Sequence, residues 1–194
     1  MQKHISSTSK DTKALVLRAA LNLIAEQGFH GTSMSKVAKE AKISAATIYH
    51  YFEGKDELIV ELYKTIKAGL MYAIVTDLDE SVPLREQLRC MIRNTMTYLI
   101  ARPQEAAFIE QFDRSPYNTA TIHEDLGAYI QRVTMLIERA THEQVIKKLP
   151  DALLETFTID VASSIARKHT TGALDLNNET IEQVVDVCWD AIRR

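Results

Sequence analysis

With 194 residues, 46% of them apolar, the chain is long enough to bury a sizeable core without disulfide or metal staples. Its net charge of −3 excludes a protein that coats nucleic acid over its whole surface, and Cys90 and Cys188, far apart and in no CxxC pair, exclude a disulfide framework or a zinc ribbon. No stretch of 18 apolar residues occurs, because even Ala14 to Ala25 is broken by Arg18 and Asn22, so a cytoplasmic chain with no membrane partner is expected.

Six Gly, four Pro and no period-two alternation predict an all-α fold of about nine helices. Residues 1 to 9, rich in Ser and Thr, read as a loose tail. The first helix is predicted from about Lys10 to Gln27, with Val16, Ala20, Leu23 and Ile24 on one face and Gly28 as a left-handed cap. Thr32 or Ser33 can cap a second, short helix carrying Met34, Val37, Ala38 and Ala41 at i, i+3, i+4 and i+7. A tight connection through Lys42 and Ile43 leads to Ser44, the cap of a third short helix whose inward face is Ala45, Ile48 and Phe52. Two short capped helices joined by three or four residues make a helix-turn-helix.

A longer helix follows from Lys55 to about Asp77, linking this head to the rest. Pro83 is expected at the first helical position of a helix over Leu84 to Ala101, which Arg102-Pro103 stops. Further helices are predicted at Gln104 to Phe112, Thr119 to Lys147, Asp151 to Lys168 and Asn178 to Arg193, the last two separated by a loop containing Gly172. The domain division expected is 1–54, tail and helix-turn-helix, and 55–194, with helix 55–77 as the link. Charge follows the same division. Residues 1–52 carry seven Lys or Arg against Asp11, Glu26 and Glu40, a surplus of four, so the remainder stands at −7. A basic head on an acidic body presents one face to phosphate.

In a helix-turn-helix the outward side chains of the second helix meet the major groove. Here they are Ser44, Ala46, Thr47 and His50. Small residues let the helix sit deep, Thr47 offers a methyl or a hydroxyl, and His50 can donate to a purine acceptor. None is a bidentate reader, so DNA shape is expected to add specificity. Phosphate contacts are expected from Ser33, Ser35, Lys36, Tyr49, Tyr51 and Lys55, the alternative for one of the two tyrosines being that it only covers the core. Phe52 is assigned to the core.

Gly28-Phe29, Thr32-Ser33, Val37-Ala38 and the run Thr47-Ile48-Tyr49-His50-Tyr51-Phe52-Glu53-Gly54-Lys55-Asp56-Glu57-Leu58 resemble the TetR family of repressors over about residues 12 to 62. The resemblance implies a C-terminal helical domain that binds a small-molecule ligand and dimerises through its last two helices, hence a non-enzymatic repressor that lets go of its operator when ligand binds. Two departures stand out. Many relatives have glycine where this chain has Lys42, and a Lys-Gly pair in place of Ala45-Ala46. A left-handed Lys42 would cost about 1 kcal/mol, and a missing lysine at 45 predicts weaker non-specific binding.

One head reads too few base pairs to find an operator, whereas two heads about 34 to 36 Å apart match successive major grooves of a pseudo-palindrome. A homodimer is therefore expected, its seam drawn from Leu153, Phe157, Val161, Ile165, Ile181, Val184, Val185, Cys188 and Ile192, with Leu154 beside them. Tyr72, Met91, Met96, Phe108, Phe112, Tyr129, Met135 and Trp189 supply the aromatic and flexible side chains of an adaptable pocket for a hydrophobic ligand. Arg85, Arg89 and Arg93 recur every four residues and read as a solvated face. His123-Glu124-Asp125 and His142-Glu143 lack the spacing of a metal site, and no cofactor fingerprint or catalytic constellation is present, so no metal, no cofactor and no enzyme is expected.

Overall fold

The computed structural model describes residues 3–119 and 127–194, and the backbone alone for 3–9 and 127–129. Its helices are α1 (Lys3–Gly31), α2 (Met34–Glu40), α3 (Ala45–Tyr51), α4 (Lys55–Val75), α5 (Leu84–Ala101), α6 (Pro103–Asp113), α7 (Gly127–His142), α8 (Asp151–Glu155), α9 (Val161–Thr170) and α10 (Asn178–Ile192). A π turn over Thr156–Asp160 joins α8 to α9 without leaving helical backbone, so among the described residues nine helical runs make up the fold. The all-α expectation holds, and the only β pairing described is an isolated bridge between Ile146 and Arg193.

Local chemistry explains the boundaries. Gly28 at φ 67 and ψ 178 interrupts α1, a backbone that a Cβ would strain, and Thr32 donates its hydroxyl to the Gly28 carbonyl at 3.0 Å. Thr32 is thus spent inside, and Ser33 is the cap of α2, its Oγ accepting from Lys36 N–H. At the other end of α2, Lys42 N–H donates to Lys39 O at 3.2 Å and Ile43 N–H to Ala38 O at 3.0 Å, a Schellman pair that places Lys42 at φ 55. The left-handed lysine anticipated from sequence is therefore present. Ser44 caps α3 through Thr47 N–H at 3.1 Å, and Asn177 caps α10 through Thr180 N–H at 2.9 Å.

Several boundaries differ from those expected. Helix α1 starts at Lys3 instead of near Lys10, because polar Ser and Thr without Gly or Pro do not prevent a turn-by-turn extension. Pro83 stands one position before α5, as its cap, instead of inside it. Helix α7 ends at His142, well before Lys147, since Gln144 takes φ 58 and Val145 N–H closes back on Ala140 O at 2.9 Å. The expected start at Thr119 concerns residues 120–126, which lie outside those described.

Two compact units result: Met1–Ile66 with Ala107–Asp125, and Lys67–Ala106 with Leu126–Arg194. In the first, Val16, Ala20 and Ile24 of α1 pack with Val37, Ile48, Phe52, Leu58 and Tyr63, and α6 adds Phe108 and Phe112. Tyr63 and Phe112 stack at 3.9 Å, and Phe29 meets Phe108 edge-on at 5.9 Å. Lys13 clips α1 to Glu61 of α4 at 2.8 Å. In the second unit α5 packs against α7, α9 and α10. Ile92, Met96, Ala162, Val185 and Cys188 form its apolar centre, and the fully buried Thr95 donates to Met91 O at 2.9 Å, so its hydroxyl costs little.

Candidate nucleic-acid interface and the helical body

Helix α3 is a one-sided element. Ile48 is 0% exposed and Phe52 is 2% exposed, which pins one face to the core. Ala46 and His50 are exposed on the remainder, Thr47 is half-buried with its hydroxyl 2.8 Å from Ser44 Oγ, and Ala45, expected inward, is exposed because Ile48 and Phe52 already fill the space. The tyrosines divide as the sequence allowed: Tyr51 is half-buried against the core, while Tyr49 is 56% exposed. The His50 ring meets Tyr51 edge-on at 5.4 Å.

Around this helix lie the other expected contacts. Ser33 and Ser35 are exposed with their hydroxyls 3.0 Å apart. Lys36 is exposed too, yet its ammonium donates to Gly31 O at 2.6 Å and Gln27 Oε1 at 2.8 Å, which uses two of its three donors to fasten the end of α1. Lys55 opens α4 half-buried, followed by Asp56 and Glu57. Glu57 Oε2 accepts Glu53 N–H at 2.5 Å, and Asp56 Oδ1 accepts the phenol of Tyr117 at 3.0 Å. The second pairing joins residues 61 apart and has no local sequence signal.

The residues expected to hold a ligand are split between the two units. Phe108 and Phe112 are fully buried in the first core. In the second unit Met91, Met96 and Trp189 are buried, whereas Tyr72 is 57% and Met135 62% exposed; the side chain of Tyr129 lies outside the described residues. Of the expected seam, Leu153 and Phe157 are exposed, Val161, Ile165, Ile181 and Val184 are half-buried, and Val185, Cys188 and Ile192 are buried within the unit. Burial pushes the Cys188 thiol up to about 11.

The arginine ladder is not a solvated face. Arg89 is buried and pairs with Asp186, with Glu182 at 3.4 Å and with Glu86 at 3.7 Å. Arg93 forks onto both Glu182 oxygens, and Arg85 lies 5.8 Å from the centre of the Trp189 ring. Hydrogen bonding from Arg93 holds the Glu182 carboxyl below its usual range. Glu182 and Asp186 on α10 are spaced by four, like the arginines they meet. Among the described residues no group of three or more His, Cys, Asp or Glu could hold a metal ion; His123-Glu124-Asp125 lies outside them. No helix described is long and apolar enough to cross a membrane.

Comparison with known proteins bears on the same two segments. A family model described as bacterial regulatory proteins, tetR family, matches residues 16–62, and one described as tetracyclin repressor-like, C-terminal domain, matches residues 83–193, more than half the chain. The chain belongs to the TetR family. As a TetR-family transcriptional regulator it is similar to an HTH-type transcriptional regulator of Haemophilus influenzae, at 28% identity across 95% of this chain and 97% of that protein. It is also similar to the fatty acid metabolism regulator protein of Bacillus subtilis, at 27% identity across 72% of this chain and 73% of that one. Among solved structures, a TetR family transcription regulator from Marinobacter aquaeolei VT8 superposes with a TM-score of 0.91 at 25% identity, covering 97% and 98% of the two chains. The transcriptional regulator FadR from Bacillus subtilis in complex with stearoyl-CoA shares the fold, with a TM-score of 0.72 at 18% identity over 93% and 99%.

Proposed function

We propose that two copies of this TetR-family regulator repress transcription by seating paired α3 helices in successive major grooves of a pseudo-palindromic operator, and that a hydrophobic small molecule releases them. The observation that carries this reading is the bare outer face of α3: Ala46 and His50 stand exposed over a fully buried Ile48, with Tyr49 exposed beside them. Ser44, Ala46, Thr47 and His50 face the base edges, with Thr47 and His50 reading them, and Ser33, Ser35, Lys36, Tyr49, Tyr51 and Lys55 hold phosphates. Residues 1–54 serve as the DNA-binding part and 55–194 as the ligand and dimer part, acting in the cytoplasm without enzymatic activity. Leu153 and Phe157 supply the exposed centre of the dimer seam, with Val161, Ile165, Ile181 and Val184 around them and Val185, Cys188 and Ile192 as backing.

For the effector, the names of two relatives, a fatty acid metabolism regulator and a FadR bound to stearoyl-CoA, favour a long acyl chain or its thioester. The residues of the second unit, Tyr72, Met91, Met96, Met135 and Trp189, are its proposed lining. Helix α4 contributes residues to both units, so a ligand that favours one placement of α4 lowers operator affinity by reciprocal coupling. Fluorescence anisotropy on an operator fragment tests both halves. Stearoyl-CoA is expected to weaken binding about 5- to 150-fold, and Lys55→Ala to reduce the dependence of log affinity on log salt by about 1. Equal affinity with and without every acyl ligand would remove the switch.

A further inference from the structure

The first turn of α4 contains a conflict. A helix N-terminus and Lys55 attract a phosphate, yet Asp56 and Glu57 occupy the same turn and compete for the same positive charge. Both carboxylates are diverted. Glu57 is taken by Glu53 N–H, a local arrangement over four residues. Asp56 is taken by Tyr117, on the turn that follows α6.

Resting on the reading that Lys55 meets operator phosphate, we infer that Tyr117 is a positioning residue for DNA binding, holding the Asp56 carboxylate away from the phosphate seat at the opening of α4. Two aromatic contacts hold its ring and one hydrogen bond holds its backbone. Phe29 meets it edge-on at 5.6 Å, the Phe112 ring lies 6.5 Å away at 25°, and Tyr117 N–H donates to Ser115 Oγ at 3.2 Å. Ser115 Oγ in turn donates to Phe112 O at 2.6 Å, so the turn is tied to the last residues of α6. Burial and the bond to Asp56 raise the phenol above its ordinary value, which keeps its proton available to the carboxylate. A hydrogen bond to a charged acceptor is the stronger kind, and it fixes the Asp56 carboxylate, still charged, on the side of Tyr117.

The test measures operator affinity against sodium chloride for the full-length wild type, Tyr117→Phe, Tyr117→Phe with Asp56→Asn, and Lys55→Ala, with thermal melts of each. Tyr117→Phe keeps the ring and is expected to leave the melt in place while weakening binding about three- to tenfold and flattening the salt dependence by up to about 1. Adding Asp56→Asn, which leaves no carboxylate to release, is expected to restore both. Wild-type binding by Tyr117→Phe beside a damaging Lys55→Ala would overturn this inference alone, as would a loss that Asp56→Asn fails to rescue. A neutral Lys55→Ala would overturn the interface reading and this inference with it.

Discussion

The two units solve the same problem by different means. The first is held by aromatic and aliphatic packing around short helices whose ends are fixed by local caps, Ser33 and Ser44 for α2 and α3. The second places α5 against α9 and α10 and closes the α5–α10 contact with Arg89 and Arg93 on Glu182 and Asp186, pairs about ninety residues apart in sequence. Caps and periodicity act over a few residues, so the first arrangement can be read along the chain. Ion pairs across distant helices cannot, because each partner alone is indistinguishable from a solvated charge.

Phe112→Ala should damage the first unit most. This ring is 0% exposed and stacked on Tyr63 in the core of the first unit, although it lies far beyond the helix-turn-helix in sequence. Its loss should cost about 3–5 kcal/mol in urea unfolding and take operator binding with it. Arg89→Ala comes next. Its partners Glu182 and Asp186 are 43% and 56% exposed, so solvent screens the pairs and the expected cost is about 1–2 kcal/mol, shrinking in high salt. The same ladder predicts acid sensitivity. Glu182 is held below the ordinary 4.5 by Arg93, so its contribution is complete above that value and disappears as pH falls through the lower folded value. A stability profile from pH 7 to 2 checks the sign. Smallest is Lys42→Gly, which relieves the left-handed lysine of the Schellman turn and should stabilise the first unit by about 1 kcal/mol.

Legibility followed the range of the forces. The helix-turn-helix, its caps, the positive φ at Gly28 and Lys42 and the inward Ile48 and Phe52 were all readable, because each is decided within one or two turns. The length of α1 was not, since Ser and Thr in residues 3–9 lower helix propensity without forbidding a helix. The end of α7 turned on Gln144 adopting a conformation that its residue type does not advertise. For the interface, side-chain type named the outward face of α3 but could not foresee that Lys36 fastens α1 or that Tyr117 engages Asp56. Phe108 and Phe112 illustrate the same limit: aromatic residues on a middle helix look alike whether they serve a pocket or the core of the neighbouring unit.

Footprinting on the DNA upstream of the protein's own coding sequence, with the oligomeric state of the bound species measured alongside, tests whether paired α3 helices hold an operator. Two protected major-groove segments on one face of the duplex, about 10 base pairs apart centre to centre and occupied by a dimer, are expected, and Thr47→Ala with His50→Ala should erase them. A monomer that protects no duplex even at low ionic strength would rule out the paired major-groove reading.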